Sequence, residues 1–280
     1  MSLLCPYAIL VSMLNSDGKE MSKMSKTAKD GFIPVKSADR VLDIFEELLK
    51  QPNGLSTNEL GQRLQIAGSS LHALIQTMLH RKYVKINEER KVVLGNKFYE
   101  FVGVYANDPL IVQSKPIMKA LSKRVNENIH LAILEGTDIV FIACEQTTHP
   151  IRYFVEPGQT QKAHLTAVGK MLLSQYSDKR IQEMYANYPF EKITDNTIDS
   201  MDKLLEKLEF SRTRGYSLDD GEAYSGSKCY AGPIYDQSHR MIASLSISIP
   251  FLRVENDRDE EMISLVKEAC RQLSSRLADG

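Results

Sequence analysis

The 280-residue sequence predicts an α+β protein with a small, mostly helical first domain and a larger second domain built on an antiparallel sheet. Three observations predict this class. Apolar residues recur at helical spacing in the first third of the chain, and strands joined by short polar turns dominate the last third. Amphipathic helical segments lie on both sides of those strands in the sequence, as in proteins whose helices flank a sheet.

The first domain is predicted to contain three helices, the first of which covers residues 35–49 with Ser37 as its N-cap. Its inward-facing side chains are expected to be Ala38, Val41, Leu42, Phe45, Leu48 and Leu49. The second helix begins with Ser56 and Glu59 at capping-box spacing. The third helix follows a turn at residues 65–68. Its apolar stripe has the spacing i, i+3, i+4 and i+7 and consists of Leu71, Leu74, Ile75 and Met78.

A strand pair over residues 83–86 and 92–94 completes a winged helix-turn-helix pattern, in which the third helix enters the major groove of DNA. The exposed face of that helix is almost free of carboxylates, which phosphates would repel, and basic residues surround the hairpin. The residues expected to contact DNA are Thr57, Ser69, Ser70, His72, Gln76, Thr77, Lys82, Arg90 and Lys91. Two amphipathic helices and a hairpin also occur as plain packing modules, which is the alternative interpretation.

Charge and cysteine usage narrow the function classes. The chain has 35 Lys and Arg against 36 Asp and Glu, so it is not a general polyanion binder, and affinity for nucleic acid must come from a local patch. Between Phe32 and Phe98 ten basic residues stand against seven acidic ones, a modest excess. The four cysteines are scattered without a CxxC pair, which argues against a zinc site and fits a reducing cytoplasm. Nucleotide-binding and HExxH motifs are missing from the sequence, and neither a metal nor another cofactor is expected.

The predicted domain boundaries follow composition. Residues 1–31 are expected to be a disordered leader without membrane association, since their apolar run lacks a basic start and is too short to span a membrane. The winged domain is predicted over 32–95, a linker helix over 96–109 and the second domain over 110–280. One stripe on the linker helix consists of Phe98, Phe101, Val102 and Tyr105. This stripe either packs on the next domain or makes a dimer contact, and we favour the dimer contact.

The second domain is predicted to consist of helices around a sheet. Helices are predicted over residues 111–125, 164–176, 178–185, 200–214 and 255–277. Strands are predicted over residues 129–134, 139–144, 151–155, 216–218, 229–235 and 241–249. The first two strands form a hairpin, the last two are joined by a polar turn, and Gly215 ends the helix before the last three strands as a C-cap.

A cluster of polar side chains in the last strands indicates a ligand pocket. Ser246 and Ser248 lie two apart on one strand, so both hydroxyls point to one face of the sheet. The carboxylate of Asp219 and the thiol of Cys229 come from neighbouring strands, and this mixture suits a polar ligand. The alternative is that the serines face solvent. A catalytic site made of Cys229, Asp219 and His164 is a further alternative, but we predict no enzyme, because nothing in the sequence places these residues together.

Several longer stretches resemble the IclR family of bacterial and archaeal transcription regulators. They are RGYSLDD, CYAGPIYD and IASLSISIP near the end of the chain, HLTAVGKMLL at residues 164–173, IHLAILEGTDIVFI at 129–142, and the winged pattern of residues 35–95. The resemblance extends over both domains and leaves out little besides the leader. It is therefore more specific than any single motif.

The resemblance implies a GAF-like second domain that binds a small metabolite, often an organic or sugar-derived acid. The residues that match the family's effector positions are Asp219, Cys229, Ser246 and Ser248, with backbone N–H groups from Ala167 and Val168. It also implies a homodimer or a dimer of dimers on double-stranded operator DNA, with repression as the default. In the third helix, Gly68 and Ala73 stand where the family usually has Lys and Arg. A metabolite-binding module whose winged domain contacts protein instead of DNA is the alternative.

Overall fold

The computed structural model describes residues 33–153, 155–255 and 258–278, and the chain divides into two compact units. The first unit ends at Tyr105, and the second begins at Ala106. The leader predicted for residues 1–31 lies outside the described residues. Within the described ranges, no helix is both long enough and apolar enough to cross a membrane.

The first unit is a three-helix domain with a two-stranded hairpin, followed by a fourth helix. Its elements in chain order are α1 (Lys36–Leu49), α2 (Thr57–Leu64), α3 (Gly68–His80), β1 (Val84–Ile86), β2 (Val92–Leu94) and α4 (Phe98–Ala106). One apolar core joins the three helices and the hairpin, and Ile44, Leu60 and Ile75 are buried in it. The strands are antiparallel, with Val84 opposite Leu94. The predicted winged helix-turn-helix arrangement is therefore confirmed.

Local sequence signals explain how α2 and α3 begin. The Ser56 hydroxyl accepts a hydrogen bond from the Glu59 N–H at 3.2 Å, and the Glu59 carboxylate accepts one from the Ser56 N–H at 2.8 Å, so the predicted capping box is present. Gln65, in a left-handed conformation with φ of 52°, ends α2. Helix α3 starts at Gly68. The preceding residue, Ala67, has no polar side-chain atom that could cap the helix. The short connection leaves the start of α3 exposed.

Two expectations for α1 are wrong. The helix begins at Lys36 without a side-chain cap, so Ser37 is not its N-cap. Leu42 and Leu49 are 58% and 55% exposed, and Ala38 is exposed as well, whereas Ile44, which the pattern does not place inward, is fully buried. Apolar residues lie on several sides of this helix, so its tertiary neighbours decide which of them enter the core.

The predicted linker, residues 96–109, contains α4 and the start of the next helix, and its role as a linker stays a prediction. Phe98 packs edge-on against the ring of Phe45, with centroids 5.1 Å apart, and lies 5.9 Å from the ring of Tyr83. The other members of the predicted stripe are exposed: Phe101, Val102 and Tyr105. The ring of Phe101 is nevertheless within 6.1 Å of the Phe98 ring, so the stripe consists of a packed aromatic end and two largely exposed residues, Val102 and Tyr105.

The second unit is a six-stranded antiparallel sheet with helices on both faces. Its helices are α5 (Pro109–Val125), α6 (Ala167–Leu173), α7 (Asp178–Met184), α8 (Met201–Arg214) and α9 (Asp259–Ala278). Its strands are β3 (Asn128–Glu135), β4 (Asp138–Glu145), β5 (Thr160–Lys162), β6 (Ser217–Asp220), β7 (Ser227–Tyr235) and β8 (Met241–Pro250). They lie in the order β5-β4-β3-β8-β7-β6. The predicted α+β class is confirmed.

The two faces of the sheet contact different apolar cores, because alternate residues of a strand point in opposite directions. On one face, Leu245 and Ile247 of β8 pack with residues of α5 and α9, such as Met118 and Val266. On the other face, Ala231 of β7 belongs to the cluster formed with α6 and α8. The polar residues predicted to form a pocket lie on this second face.

The strand predicted over residues 151–155 is wrong. The described part of this segment is irregular, and the strand that borders β4 is β5 instead. Side chains satisfy its backbone: the carbonyl of Ile151 accepts from Arg253 at 2.9 Å, and the carbonyl of Tyr153 accepts from Asn128. These bonds take the place of a strand ladder.

Helix α6 is shorter than the predicted 164–176, because a 3-10 turn (Ala163–Leu165) precedes it. The Thr166 hydroxyl caps the helix by accepting a hydrogen bond from the Gly169 N–H at 3.0 Å. A Cβ on Gly169 would lie 2.1 Å from the carbonyl oxygen of Ala163, so only glycine fits there. This close approach fixes the start of α6 against the preceding turn.

Candidate functional sites

The first candidate site is the exposed face of α3. Four of the residues expected to contact DNA are exposed on this helix: Ser69, His72, Gln76 and Thr77. Ser70 is half-buried. The opposite face is buried through Leu71, Ile75 and Met78. The Thr77 hydroxyl donates to the carbonyl of Ala73 at 2.9 Å, so it offers only its lone pairs to a partner. The helix sequence contains no Asp or Glu that would repel a phosphate backbone.

The first turn of α3 presents backbone donors. Ala67, which precedes the helix, makes no side-chain cap, and the first N–H groups of a helix have no intrahelical acceptor. The space that a side chain at position 68 would fill is open: apart from the neighbouring residues of the same helix, no heavy atom lies within 4 Å of where a Cβ would be. An anionic oxygen can therefore approach these N–H groups closely.

The basic residues around the hairpin occupy two places. Arg90 lies in the turn of the hairpin, in a left-handed conformation with φ of 59°, and Lys91 is next to it. The Lys91 ammonium lies 2.8 Å from the carboxylate of Glu89, whose hydrogen bond raises the pKa of Lys91. Lys82 lies before the hairpin, in the turn that follows α3. Thr57 is exposed at the first position of α2.

The second candidate site is a cavity on the α6 side of the sheet. It is lined by all six residues predicted to bind an effector, namely Ala167, Val168, Asp219, Cys229, Ser246 and Ser248. The empty space between its walls is about 340 Å³, part of it open to solvent. Strand pairing brings the residues together, because Asp219 lies opposite Cys229, which in turn lies opposite Ser248.

The two serines of β8 predicted to bind a ligand are buried, so the alternative that they face solvent is wrong. Ser246 and Ser248 are 3% and 4% exposed. The thiol of Cys229 donates to the Ser248 hydroxyl at 3.3 Å, and Nδ1 of His130 lies 3.2 Å from the same oxygen. Burial raises the pKa of Cys229 to about 12 and lowers the pKa of His130 to about 4. This wall of the cavity is therefore uncharged and rich in hydrogen-bonding groups.

Asp219 brings a carboxyl group to the cavity. One of its oxygens accepts the N–H of Glu222 at 2.7 Å and that of Ala223 at 3.4 Å. Burial raises the pKa of Asp219 to about 6, an effect that the nearby Lys170 ammonium partly opposes. As a carboxylate, Asp219 accepts hydrogen bonds from a ligand hydroxyl; once protonated, it also donates one.

A buried ion pair lies behind Asp219. Lys170 of α6 and Glu222, which follows β6, are in contact, with side chains 1% and 3% exposed. Lys207 of α8 lies 3.6 Å from the other oxygen of Glu222. Burial lowers the pKa of Lys170 to about 7. The pair joins α6 to the segment whose N–H groups hold Asp219, so it fixes that wall of the cavity.

Eight further residues line the cavity and are absent from the prediction: His130, Phe141, Tyr153, Gln161, Thr166, Ala223, Tyr224 and Ser227. The rings of Tyr153 and Tyr224 stack, with centroids 5.3 Å apart and planes inclined by 27°. Gln161 donates to the Tyr153 hydroxyl. Because Tyr224 is 53% exposed, this aromatic pair forms the border between the cavity and solvent.

Two family models match the chain. The IclR helix-turn-helix domain matches residues 37–87, and the C-terminal domain of the bacterial transcriptional regulator IclR matches residues 103–275. The regulator KdgR of Dickeya chrysanthemi is 31% identical over 245 residues, which are 86% of this chain and 80% of that protein. The regulator BhcR of Paracoccus denitrificans is 30% identical over 246 residues, 87% of this chain and 88% of that protein.

A repressor and two solved structures extend the comparison. The transcriptional repressor IclR of Escherichia coli is 28% identical over 244 residues, 86% of this chain and 89% of that protein. The IclR structure of Thermotoga maritima matches with a TM-score of 0.73 at 23% identity, covering 88% of this chain and 100% of that one. An IclR homologue of Microbacterium hydrocarbonoxydans, complexed with 4-hydroxybenzoate, matches with a TM-score of 0.76 at 20% identity. The match covers 87% of this chain and 98% of that one. At these identities the two structures establish a shared fold.

Proposed function

The chain belongs to the IclR family of DNA-binding transcriptional regulators, and from this premise we propose that it is a repressor whose operator affinity changes when a small organic or sugar-derived acid occupies the cavity. The similar proteins are regulators and not enzymes, so Cys229 is interpreted as a binding group. A similar protein of Escherichia coli is a repressor by name, which supports repression. Since operator DNA lies in the cytoplasm, we place the action of the protein there.

The observation that carries the DNA part of the proposal is the exposed, carboxylate-free face of α3. We propose that this face enters the major groove, where Ser70 and Gln76 contact base edges. The family's usual Lys and Arg are absent at Gly68 and Ala73, so attraction to the backbone comes from elsewhere. The uncapped first turn of α3 and the cations around the hairpin are suited to phosphate contacts.

The effector part of the proposal rests on the chemistry of the cavity. The hydroxyl of Ser246, and N–H groups in the first turn of α6, suit the oxygens of a carboxylate. Ser248 lies beside them, in contact with Cys229 and His130. Asp219 would repel a carboxylate but accepts a hydrogen bond from a hydroxyl. A small acid that also carries a hydroxyl satisfies both parts, and 4-hydroxybenzoate in the homologue of the same fold is such a molecule.

We further propose that the protein works as a homodimer or a dimer of dimers. Helix α4 leaves Tyr99, Val102 and Tyr105 exposed by 75%, 60% and 69%. Exposed apolar faces of this kind are typical of association surfaces. Two-fold symmetry also matches the two half-sites that helix-turn-helix regulators bind. Sedimentation of the full chain measures the number of subunits.

Replacing Lys82, Arg90 and Lys91 together with alanine should weaken DNA binding on every sequence. Each phosphate that the variant no longer neutralises keeps its counterions, which makes the slope of log affinity against log salt shallower by about 0.9. The operator is first recovered by sequencing DNA that co-purifies with the protein. Fluorescence anisotropy with operator and scrambled duplexes, over a range of salt concentrations, then measures affinity and slope.

The matched control for this prediction is a triple alanine variant at Lys179, Lys192 and Lys203, which removes the same charge from exposed positions of the second unit. It should bind the operator like the wild type. Equal affinity and slope in both triple variants would overturn the assignment of the hairpin. A wild-type protein without salt-dependent DNA binding would favour the alternative, a winged domain that contacts protein.

Replacing Ser246 with alanine should weaken binding of the acid by about tenfold or more, because a hydrogen bond to a charged group contributes about 1.5–3 kcal/mol. Replacing Ser248 with alanine should weaken it as well, because the Ser248 hydroxyl contacts both Cys229 and His130 in the wall of the cavity. Operator binding without the acid should be unchanged. Calorimetry with glycolate, lactate, gluconate and 4-hydroxybenzoate measures the loss, and the best acid is then added to the DNA assay to measure coupling.

Ser244 is the control for the serine variants, since it lies on the same strand, is fully buried and donates to the carbonyl of Gly232 at 2.8 Å. It is not among the residues that line the cavity. Ser244→Ala should therefore leave the affinity for the acid unchanged. If Ser246→Ala and Ser248→Ala bind the acid as the control does, the ligand site is elsewhere.

A further inference from the structure

His130 is the lining residue whose hydrogen bonding is incomplete. It is 1% exposed, lies on β3 opposite Ser246, and lines the cavity. Its Nδ1 has a partner in Ser248, but its Nε2 is buried without a hydrogen-bond partner among the described residues. Buried polar atoms nearly always have a partner, so an unsatisfied atom at the wall of a ligand cavity needs an explanation.

The protonation of the ring follows from its neighbours. Burial keeps the imidazole neutral at pH 7, so one ring nitrogen carries the proton and the other is an acceptor. The Cys229 thiol retains its proton and donates it to the Ser248 oxygen. The Ser248 hydroxyl then has its own proton to give, and Nδ1 of His130 is within reach at 3.2 Å.

This chain of donors places the ring proton on the other nitrogen. If Ser248 donates to Nδ1, then Nδ1 is the acceptor and the hydrogen of His130 is on Nε2. In this series Cys229 donates to Ser248 and Ser248 donates to His130. The remaining donor is then the unpaired Nε2–H of His130. An N–H donor is complementary to a carboxylate or carbonyl oxygen and not to a ligand hydroxyl hydrogen.

We propose that the Nε2–H of His130 binds a carboxylate or carbonyl oxygen of the effector and is a specificity-determining donor of the site. The inference rests on the proposed function, in that the cavity holds an acid. It adds a residue on β3, the strand next to β8, to the predicted binding residues of α6, β6, β7 and β8. Ser248 then acts on the acid through His130, and Asp219 is left for a hydroxyl of the same molecule.

Packing alone does not account for the ring. The Phe141 ring lies 5.5 Å from that of His130 at an angle of 64°, an aromatic contact that a phenylalanine at position 130 would make without a buried polar atom. The hydrogen bond to Ser248 uses one nitrogen. The second nitrogen therefore has a use only when a ligand atom or a bound water accepts from it.

Two amide variants separate the two nitrogens. In His130→Asn the amide reaches the position of Nδ1, so the contact to Ser248 is preserved and the distal donor is lost. In His130→Gln the amide nitrogen reaches the position of Nε2, so the distal donor is preserved. A purely structural role would make both variants similar, because both remove the ring.

The binding test uses the acid among glycolate, lactate and 4-hydroxybenzoate that binds the wild type most tightly in calorimetry. His130→Asn should bind it about tenfold or more weakly, as expected when a hydrogen bond to a charged group is removed, while His130→Gln stays within a few-fold of the wild type. Thermal melting of both variants checks that each is folded. Wild-type affinity in His130→Asn, together with weakened binding in Ser246→Ala, would overturn the role of His130 and leave the proposed function intact.

A ligand-free measurement tests the inference by itself. In the full chain labelled with ¹⁵N-histidine, a long-range proton–nitrogen NMR spectrum reports which ring nitrogen carries the hydrogen, and the signal missing in His130→Asn identifies the residue. Protonated Nε2 is the expected result. A proton on Nδ1 would overturn the inference, whatever the acid panel shows. If no acid binds the wild type, the proposed effector class fails, and the assignment of His130 to an acid oxygen fails with it.

Discussion

Replacing Glu222 with glutamine should lower the free energy of unfolding of the second unit by about 3–5 kcal/mol, because the buried Lys170 would lose the carboxylate that it contacts. Bulk water cannot solvate Lys170 in place of the lost carboxylate, since the side chains of Lys170 and Glu222 are almost fully buried. Lys207 lies near the same carboxylate, so the substitution removes the negative charge from between two cations. Urea titration followed by circular dichroism measures the change in the unfolding transition.

Two variants set the scale for this result. Arg180 and Glu183 form an exposed ion pair, so Glu183→Gln should change stability by less than about 1 kcal/mol. The double variant Lys170→Met with Glu222→Met should recover much of the loss, because apolar side chains can replace a buried pair once both charges are gone. A loss in Glu222→Gln as small as that in Glu183→Gln would show that the pair does not hold the unit together.

Acidification should destabilise the second unit through two buried histidines. Burial, as the largest cause, lowers the pKa of both His130 and His164 from 6.5 to about 4. As pH falls below 6.5 the unfolded chain takes up these protons and the folded chain does not, so the stabilisation present above that pH is lost progressively towards pH 4. The linkage amounts to about 3 kcal/mol for each histidine. Asp219 acts in the opposite direction, because its raised pKa lets the folded state hold a proton below about pH 6.

His164→Phe is the variant that tests the acid effect. The imidazole of His164 lies among the rings of Tyr185, Tyr188 and Phe190, with centroids 5.8, 5.1 and 5.3 Å away, so a phenyl ring suits the site. Urea unfolding at several pH values between about 7 and 4 should give a shallower fall in stability for the variant. Parallel curves for wild type and variant would mean that His164 takes its proton equally in both states.

Prediction from the sequence succeeded where periodicity is unambiguous and failed where apolar residues surround an element. In α1, Leu42, Ile44 and Leu49 are all apolar, and the sequence alone does not indicate which of them faces α2, α3 and the hairpin. The structure buries Ile44 and leaves the two leucines exposed. A helical stripe defines a face only when the other side is polar.

The cavity illustrates the same limit for long-range contacts. Alternation along β8 placed Ser246 and Ser248 on one face, with Asp219 and Cys229 on neighbouring strands, and the resemblance to a family added Ala167 and Val168. His130 carried a signal that the prediction did not use, because it is the one polar residue of the strand predicted over residues 129–134. Tyr153 and Tyr224 gave none, because irregular segments bring them together from distant parts of the chain. The apolar segment around Tyr153 was predicted as a strand, but side-chain donors hold its backbone carbonyls instead.

The stacked pair of Tyr153 and Tyr224 has a consequence for how ligand preference evolves. Both rings stand on connecting segments at the solvent border, whereas the hydroxyls and thiol behind them belong to strands of the buried sheet. Substitutions at the two tyrosines change the width and polarity of the entrance without removing a residue from either fully buried core. Natural drift or laboratory selection can therefore retune which molecule is sensed at these two positions, which makes them the first choice for a library that converts the protein into a biosensor for a different acid.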